Sequence, residues 1–107
     1  MNHLKFGQIV LLRFPFTDGI SFKRRPALII NDCGDGDVIV GRITSKIYHS
    51  EFDIDINDLA KSGLKLPSVI RVHKIATLEK HLVELNMGQI GSEQKDKVRL
   101  ILKSFAG

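Results

Sequence analysis

Arg24 and Arg25 stand side by side ahead of Pro26 and a run of apolar residues, in the segment FKRRPALIIND. Two readings compete for them. Arginines at the entrance of a strand ordinarily keep their heads in water and lay their stems along apolar surface. An arginine held by a rigid strand instead offers a planar fork of donors that matches two phosphate oxygens. Lys23, Arg24 and Arg25 sit in a loop that leads straight into the apolar run, a placement that suits holding an anion.

Other residues have types suited to the same chemistry. Thr44 and Ser45 close the segment VGRITS. They read either as a β-branched residue and a turn former, or as two hydroxyls able to hydrogen-bond phosphate or ribose. In SVIRVHKIATL, period-two alternation puts Arg71 and His73 on one face and Val72 and Lys74 on the other. An arginine beside a histidine is costly in a core, so that face lines a cleft or meets water. Histidine can act as general acid or base near neutral pH. His3, His49 and His81 show no metal-ligand spacing with it, and no metal or other cofactor is expected. Asp53 and Asp55 fit the watered face of a strand better than an acid/base pair. GDG at 34–36 lacks the following helix of a phosphate loop and reads as a turn. Cys33, the only cysteine, supports neither a disulfide framework nor a cysteine metal site.

The elements that position these residues follow from pattern. Residues 8–14 read as a strand, 15–23 as a loop containing the turn residues Thr17 to Gly19, and RPALIIN as a second strand buried on both faces. CGDGD reverses the chain into a third strand that ends near Ser45. EFDIDI alternates, so Phe52, Ile54 and Ile56 face inward while Glu51, Asp53 and Asp55 face water. A polar connection with one helical turn ends at Gly63, and residues 68–78 form the fifth strand. A helical turn and a brief strand near 85–90 come next. Ser92 is the expected N-cap of a last helix, with Val98, Ile101, Leu102 and Phe105 along its buried stripe. Short strands followed by a packing helix predict a mostly-β fold, a small barrel with a C-terminal helix.

At 107 residues the chain is one domain, residues 1–107. Its formal charge of +4 favours an anionic partner such as nucleic acid or an acidic protein segment. The apolar run Ile9–Leu12 is too short for a signal core or a membrane span, so the chain reads as soluble and cytoplasmic.

In order, GQIVLLRFPFTDG, KRRPALIIND, VGRITS and PSVIRVHKIATLEKHL resemble the MazF/PemK family of toxins from bacterial toxin–antitoxin pairs. The resemblance runs from about Gly7 to Phe105. It implies a small SH3-like barrel of the CcdB/MazF kind and a homodimer. It also implies metal-independent endoribonuclease action on single-stranded RNA, leaving 2′,3′-cyclic phosphate and 5′-hydroxyl ends. The family's arginine before the proline corresponds to Arg25, its strand-end hydroxyl to Thr44, and the later arginine of PemK-type members to Arg71. His73 stands where those members carry an acidic residue, which makes it the candidate acid/base. Lys23, Arg24, Ser45 and Lys74 are the expected RNA-binding neighbours, and a small acidic antitoxin is the expected protein partner. Two rival readings remain at this point. One is a same-fold toxin binding a protein such as DNA gyrase through ILKSFAG, and the other is a catalytically silent RNA-binding module.

Overall fold

The structure is a computed structural model and describes residues 2–15 and 18–107. Gln8–Pro15 forms β1 and Phe22–Asp32 forms β2, an antiparallel pair with Ile9 opposite Leu28, Leu12 opposite Arg25, and Pro15 opposite Phe22. Lys23, Arg24 and Arg25 are therefore strand residues, not loop residues. Phe14, Arg13 and Leu12 pair with them in turn and carry the ladder past Pro26. A proline fits there because β2 pairs with its other neighbour, β3 (Asp37–Thr44), only from Ala27 onward, so no ladder bond is lost at Pro26. Of the predicted turn, Thr17 lies outside the described residues. Asp18 accepts hydrogen bonds from the Ile20 and Ser21 amides, both at 3.0 Å.

The reversal into β3 matches the sequence reading, with Gly34 and Gly36 at φ of 80° and 96°. β4 is Asp53–Ile56, and α1 is Leu59–Ser62, capped by the Asp58 carboxylate and closed by Gly63 in the left-handed region. β5 is Ser68–Glu79; a 3-10 turn at Lys80–Leu82 leads to β6, Val83–Gln89. The final helix, α2, is Ser92–Phe105. Its N-cap is Gly91, not the expected Ser92. The backbone of Gly91 is extended and its N–H donates to Gln94 Oε1 at 2.9 Å, leaving Ser92 as the first helical residue.

The strands make one antiparallel sheet in the order β4-β5-β3-β2-β1-β6. The mostly-β fold with a C-terminal helix is as expected, but the outer strands β4 and β6 do not pair, so the ladder is not closed into a barrel. Apolar cores lie on both faces. Ile9, Leu28, Ile54, Ile70, Val72 and Val98 build one, with Ile101 and Leu102 of α2 against it. Val10, Leu12, Ala27, Ile29, Val38 and Val40 build the other. The alternation of Ala27, Leu28 and Ile29 between them explains the unbroken apolar run in β2.

Three further sequence expectations need correction. The alternation read in β5 is interrupted: Arg42 pairs with Arg71 but Gly41 pairs with Ile75, so Val72, His73 and Lys74 have no partner on β3. Residues of one parity change face across this bulge. Ile70 and Val72 belong to the first core, whereas Ala76 and Leu78 pack on the second. Asp53 does not face water; its side chain is 2% exposed because Arg71 covers it. Phe105 does not finish a buried stripe. It is 44% exposed, with its ring 5.6 Å from that of Phe52.

Candidate functional site

Because β2 overhangs β3 from Phe22 to Pro26, the β1–β2 end and the β3–β5 surface form the walls of an open cleft of about 420 Å³. Phe14, Ala27, Val40, Ile75 and Ala76 supply apolar lining, and Lys23, Arg25, Arg42 and Lys74 supply four cations. No carboxylate among the described residues lines the cleft. Among the described residues none of these four cations is in an ion pair. Unneutralised like charges around a low-dielectric concavity focus a positive potential that draws in and holds an anion.

Thr44 also lines the cleft. Its Oγ1 accepts from the Lys46 amide at 3.2 Å, which leaves the hydroxyl proton free to donate. The β5 bulge decides the position of Lys74. It shares parity with Ala76 and Leu78 on the second-core face, and so reaches the same cleft as Arg25 and Thr44.

Arg25, Thr44, Lys23 and Lys74 are thus brought together, while the other sequence candidates are not. Arg24 alternates to the opposite side, where its Nε donates to Glu84 at 2.8 Å and its guanidinium lies 5.2 Å from the Phe22 ring centre. Ser45 is exposed just beyond β3 and outside the lining. Arg71 borders the cleft as the cross-strand partner of Arg42, but it is otherwise engaged. Its Nε donates to Asp53 Oδ1 at 3.0 Å and its guanidinium lies 3.6 Å from the Tyr48 ring centre. Burial opposes the charge on Asp53, yet hydrogen bonds from Ser50 and Arg71 outweigh it and hold the carboxyl below its usual pKa.

His73 sits in the bulge between Arg71 and Lys74. Its ring packs on Phe52, with centroids 4.9 Å apart, and its buried Nδ1 has no hydrogen-bond partner among the described residues. Such orphaned nitrogens are uncommon in folded proteins. Arg42 is the cleft residue that sequence reasoning missed. The signal was present, because Arg42 lies two positions before Thr44 in a strand and so shares its face.

The model of PemK-like, MazF-like toxins of type II toxin–antitoxin systems matches residues 5–106. The chain belongs to this family. A search of curated proteins returned no match. Among solved structures, MazF (Form-I) from Deinococcus radiodurans superposes with a TM-score of 0.77 at 20% identity, covering 100% of this chain and 99% of that one. The MazE–MazF complex (Form-II) from the same organism gives 0.81 at 20% identity, over 100% and 98% of the chains. An endoribonuclease in complex with its cognate antitoxin from Mycobacterial species gives 0.73 at 16%, over 94% and 92%. At these identities the likeness is one of fold, and it extends over nearly the whole length of the family domain.

Proposed function

We propose that this toxin is an endoribonuclease that cuts single-stranded RNA by attack of a ribose 2′-hydroxyl on the adjacent phosphorus. The observation that carries the reading is the cleft with four unpaired cations, a donating hydroxyl and no carboxylate. In the reaction the 2′-oxygen loses its proton and bonds to phosphorus. The bond from phosphorus to the 5′-oxygen breaks, and that oxygen takes up a proton. The products are a 2′,3′-cyclic phosphate and a 5′-hydroxyl.

Charge builds on the non-bridging oxygens in the transition state, and preorganised cations stabilise it by several kcal/mol, roughly 3–4 per well-placed donor. Arg25 holds the scissile phosphate, Arg42 and Lys74 share its developing charge, and Thr44 donates to an oxygen. Lys23, with Ser45 further out, steers the strand, whereas Arg24, paired with Glu84 on the opposite side of β2, does not. This arrangement needs no metal ion. Arg71, paired with Asp53 and stacked on Tyr48, supports the border of the cleft opposite Arg42. Proton transfer is assigned to His73, whose buried Nδ1 has no partner among the described residues; its ring packs on Phe52 outside the cleft lining, so the RNA strand has to extend past Lys74 to reach it. The acidic partner is an antitoxin segment that covers the cations, and the toxin works as a homodimer in the cytoplasm.

The test is incubation with a long unstructured RNA in EDTA, with analysis of the fragment ends. Cyclic phosphate ends are expected, as is a loss of rate of about 100-fold or more in His73→Ala. Unchanged cleavage by that variant from pH 5 to 9 removes His73 from the chemistry. A second reading, a toxin that grips a protein target through its C-terminus, draws on the half-exposed Phe105 ring. Trapped protein–DNA adducts in a topoisomerase assay would support it instead.

A further inference from the structure

The bulge in β5 leaves Val72, His73 and Lys74 without partners on β3, so another element has to hold them. On the other side β4 pairs with β5 only up to Arg71, which stands opposite Asp53. The residue before β4 takes over from there. Phe52 accepts a hydrogen bond from the Val72 amide at 3.0 Å, and its ring packs on the His73 imidazole with centroids 4.9 Å apart. Its own amide donates to Ser50 Oγ at 3.2 Å. The Phe52 ring also meets that of Phe105, in the last turn of α2, at 5.6 Å. We infer that Phe105 is a positioning residue for the reaction: it braces Phe52, and Phe52 holds the His73 imidazole in the orientation that proton transfer needs. This role rests on the assignment of proton transfer to His73.

An imidazole turns about two side-chain torsions, and the outer one has a broad minimum. No hydrogen bond fixes the His73 ring through its buried Nδ1, which has no partner among the described residues. Packing then selects the orientation. Both ring contacts, tilted by 38° and 56°, fall within the roughly 4.5–7 Å of favourable aromatic pairs. The helix itself is anchored elsewhere, by Val98 in the first core and by Ile101 and Leu102 against it. Phe105 is 44% exposed, so removing its ring changes the support of Phe52 without emptying the core. A proton-transfer group tolerates a misplacement of only about 0.5 Å and 10–20°. Neither Phe52 nor Phe105 lines the cleft, so a loosened His73 should lower turnover and leave the capture of RNA unchanged.

The experiment uses the intact protein and two readouts. Imidazole resonances are recorded by NMR at fixed pH without RNA, and His73 is assigned by comparison with His73→Ala. Phe105→Ala should move the His73 signals, because the ring packed on them shifts, and leave those of His3, His49 and His81 in place. In RNA cleavage the same variant should lower kcat about three- to tenfold at unchanged KM, the worth of one aromatic pair converted to a rate. Phe105→Tyr keeps the ring and should restore both readouts, whereas Phe105→Leu should restore neither. Native behaviour of Phe105→Leu would reduce Phe105 to ordinary helix packing and overturn the inference. In a His73→Ala background Phe105→Ala should have no further effect on the rate. If it costs the same factor again there, Phe105 acts on something other than His73 and the brace is wrong. If Phe105→Ala leaves the His73 signals and kcat at native values while His73→Ala is slow, the brace is again wrong, but the assignment of His73 stands. If His73→Ala cleaves at the native rate, that assignment fails, and any movement of the His73 signals in Phe105→Ala marks a packing contact with no part in the reaction.

Discussion

Arg42 and Arg71 stand directly opposite each other on β3 and β5, and Asp53 stands opposite Arg71 from β4. Two like charges in cross-strand register repel. The structure resolves the conflict by giving one arginine a partner: Arg71 is held by Asp53 at 3.0 Å and by the face of Tyr48. Arg42 keeps its charge unneutralised at the edge of the cleft. A pair that a sequence reader counts as two equivalent cations is thus divided into one that supports and one that binds.

Asp53→Asn should expose this arrangement. The amide keeps an acceptor for Arg71 but removes the charge that pairs with it opposite Arg42, and the Asp53 side chain is almost wholly covered. A loss of about 1.5–3 kcal/mol in unfolding free energy is expected, the usual value of a hydrogen bond to a charged group. Urea titration at pH 7 measures it. An unchanged midpoint would mean that Tyr48 alone holds Arg71.

Asp32 should make the fold sensitive to acid. Its side chain is 1% exposed, the Lys80 ammonium lies 2.7 Å away, and the Leu4 amide donates to it at 2.9 Å. Lys80 first, and the Leu4 amide next, hold the Asp32 carboxyl well below the usual carboxylate range against the opposing effect of burial. The folded chain therefore binds this proton more weakly than the unfolded chain, so protonation favours unfolding. The contribution is complete above the unfolded value of about 3.9 and is lost as pH falls through the lower folded value. Thermal melts at pH 7, 5 and 3 should show a steep fall at the acid end for the native chain and a shallower one for Asp32→Asn. Parallel curves for the two proteins would contradict the assignment.

Each rim cation should be visible in the salt dependence of RNA binding. For a single strand, the slope of log K against log salt is about −0.7 per phosphate contact. Removing Arg42 or Lys74 should make it shallower by about that amount. Arg24→Ala should change it less, because Glu84 already neutralises Arg24 on the other side of β2. Equal slopes for Arg24→Ala and Arg42→Ala would dissolve the distinction between the two faces.

Much of the fold was legible because one residue type or pattern decided each element. The glycines at 34 and 36 decided the reversal, the apolar run of β2 reported two cores, and Val98, Ile101 and Leu102 marked the inner face of α2. Arg25 and Thr44 were legible as candidates because each sits at a strand position next to a chain feature, a proline or a strand end. The β5 bulge was not legible. SVIRVHKIATL alternates only as far as His73, because the polar pair His73–Lys74 and the apolar pair Ile75–Ala76 break the pattern. The register slip itself shows only when Gly41 pairs with Ile75 while Arg42 pairs with Arg71. That one shift moved Lys74 to the cleft and separated it from the face expected for it. The covering of Asp53 was hidden for the same reason, since it depends on which residue of β5 lies opposite. Register is a property of two strands, and neither strand states it alone.

The most direct test of the central claim is single-turnover cleavage of an unstructured RNA in EDTA by the native toxin and by Arg25→Ala, with circular dichroism to show that both are folded. Arg25 is exposed and opposite Leu12 at the overhang of β2, so its removal should leave the fold intact. The account predicts discrete fragments with cyclic phosphate ends from the native protein and a rate at least 100-fold lower from the variant, the scale of losing one donor to the transition-state charge. Equal rates from the two proteins, or no cleavage by a folded native chain free of antitoxin, would contradict it.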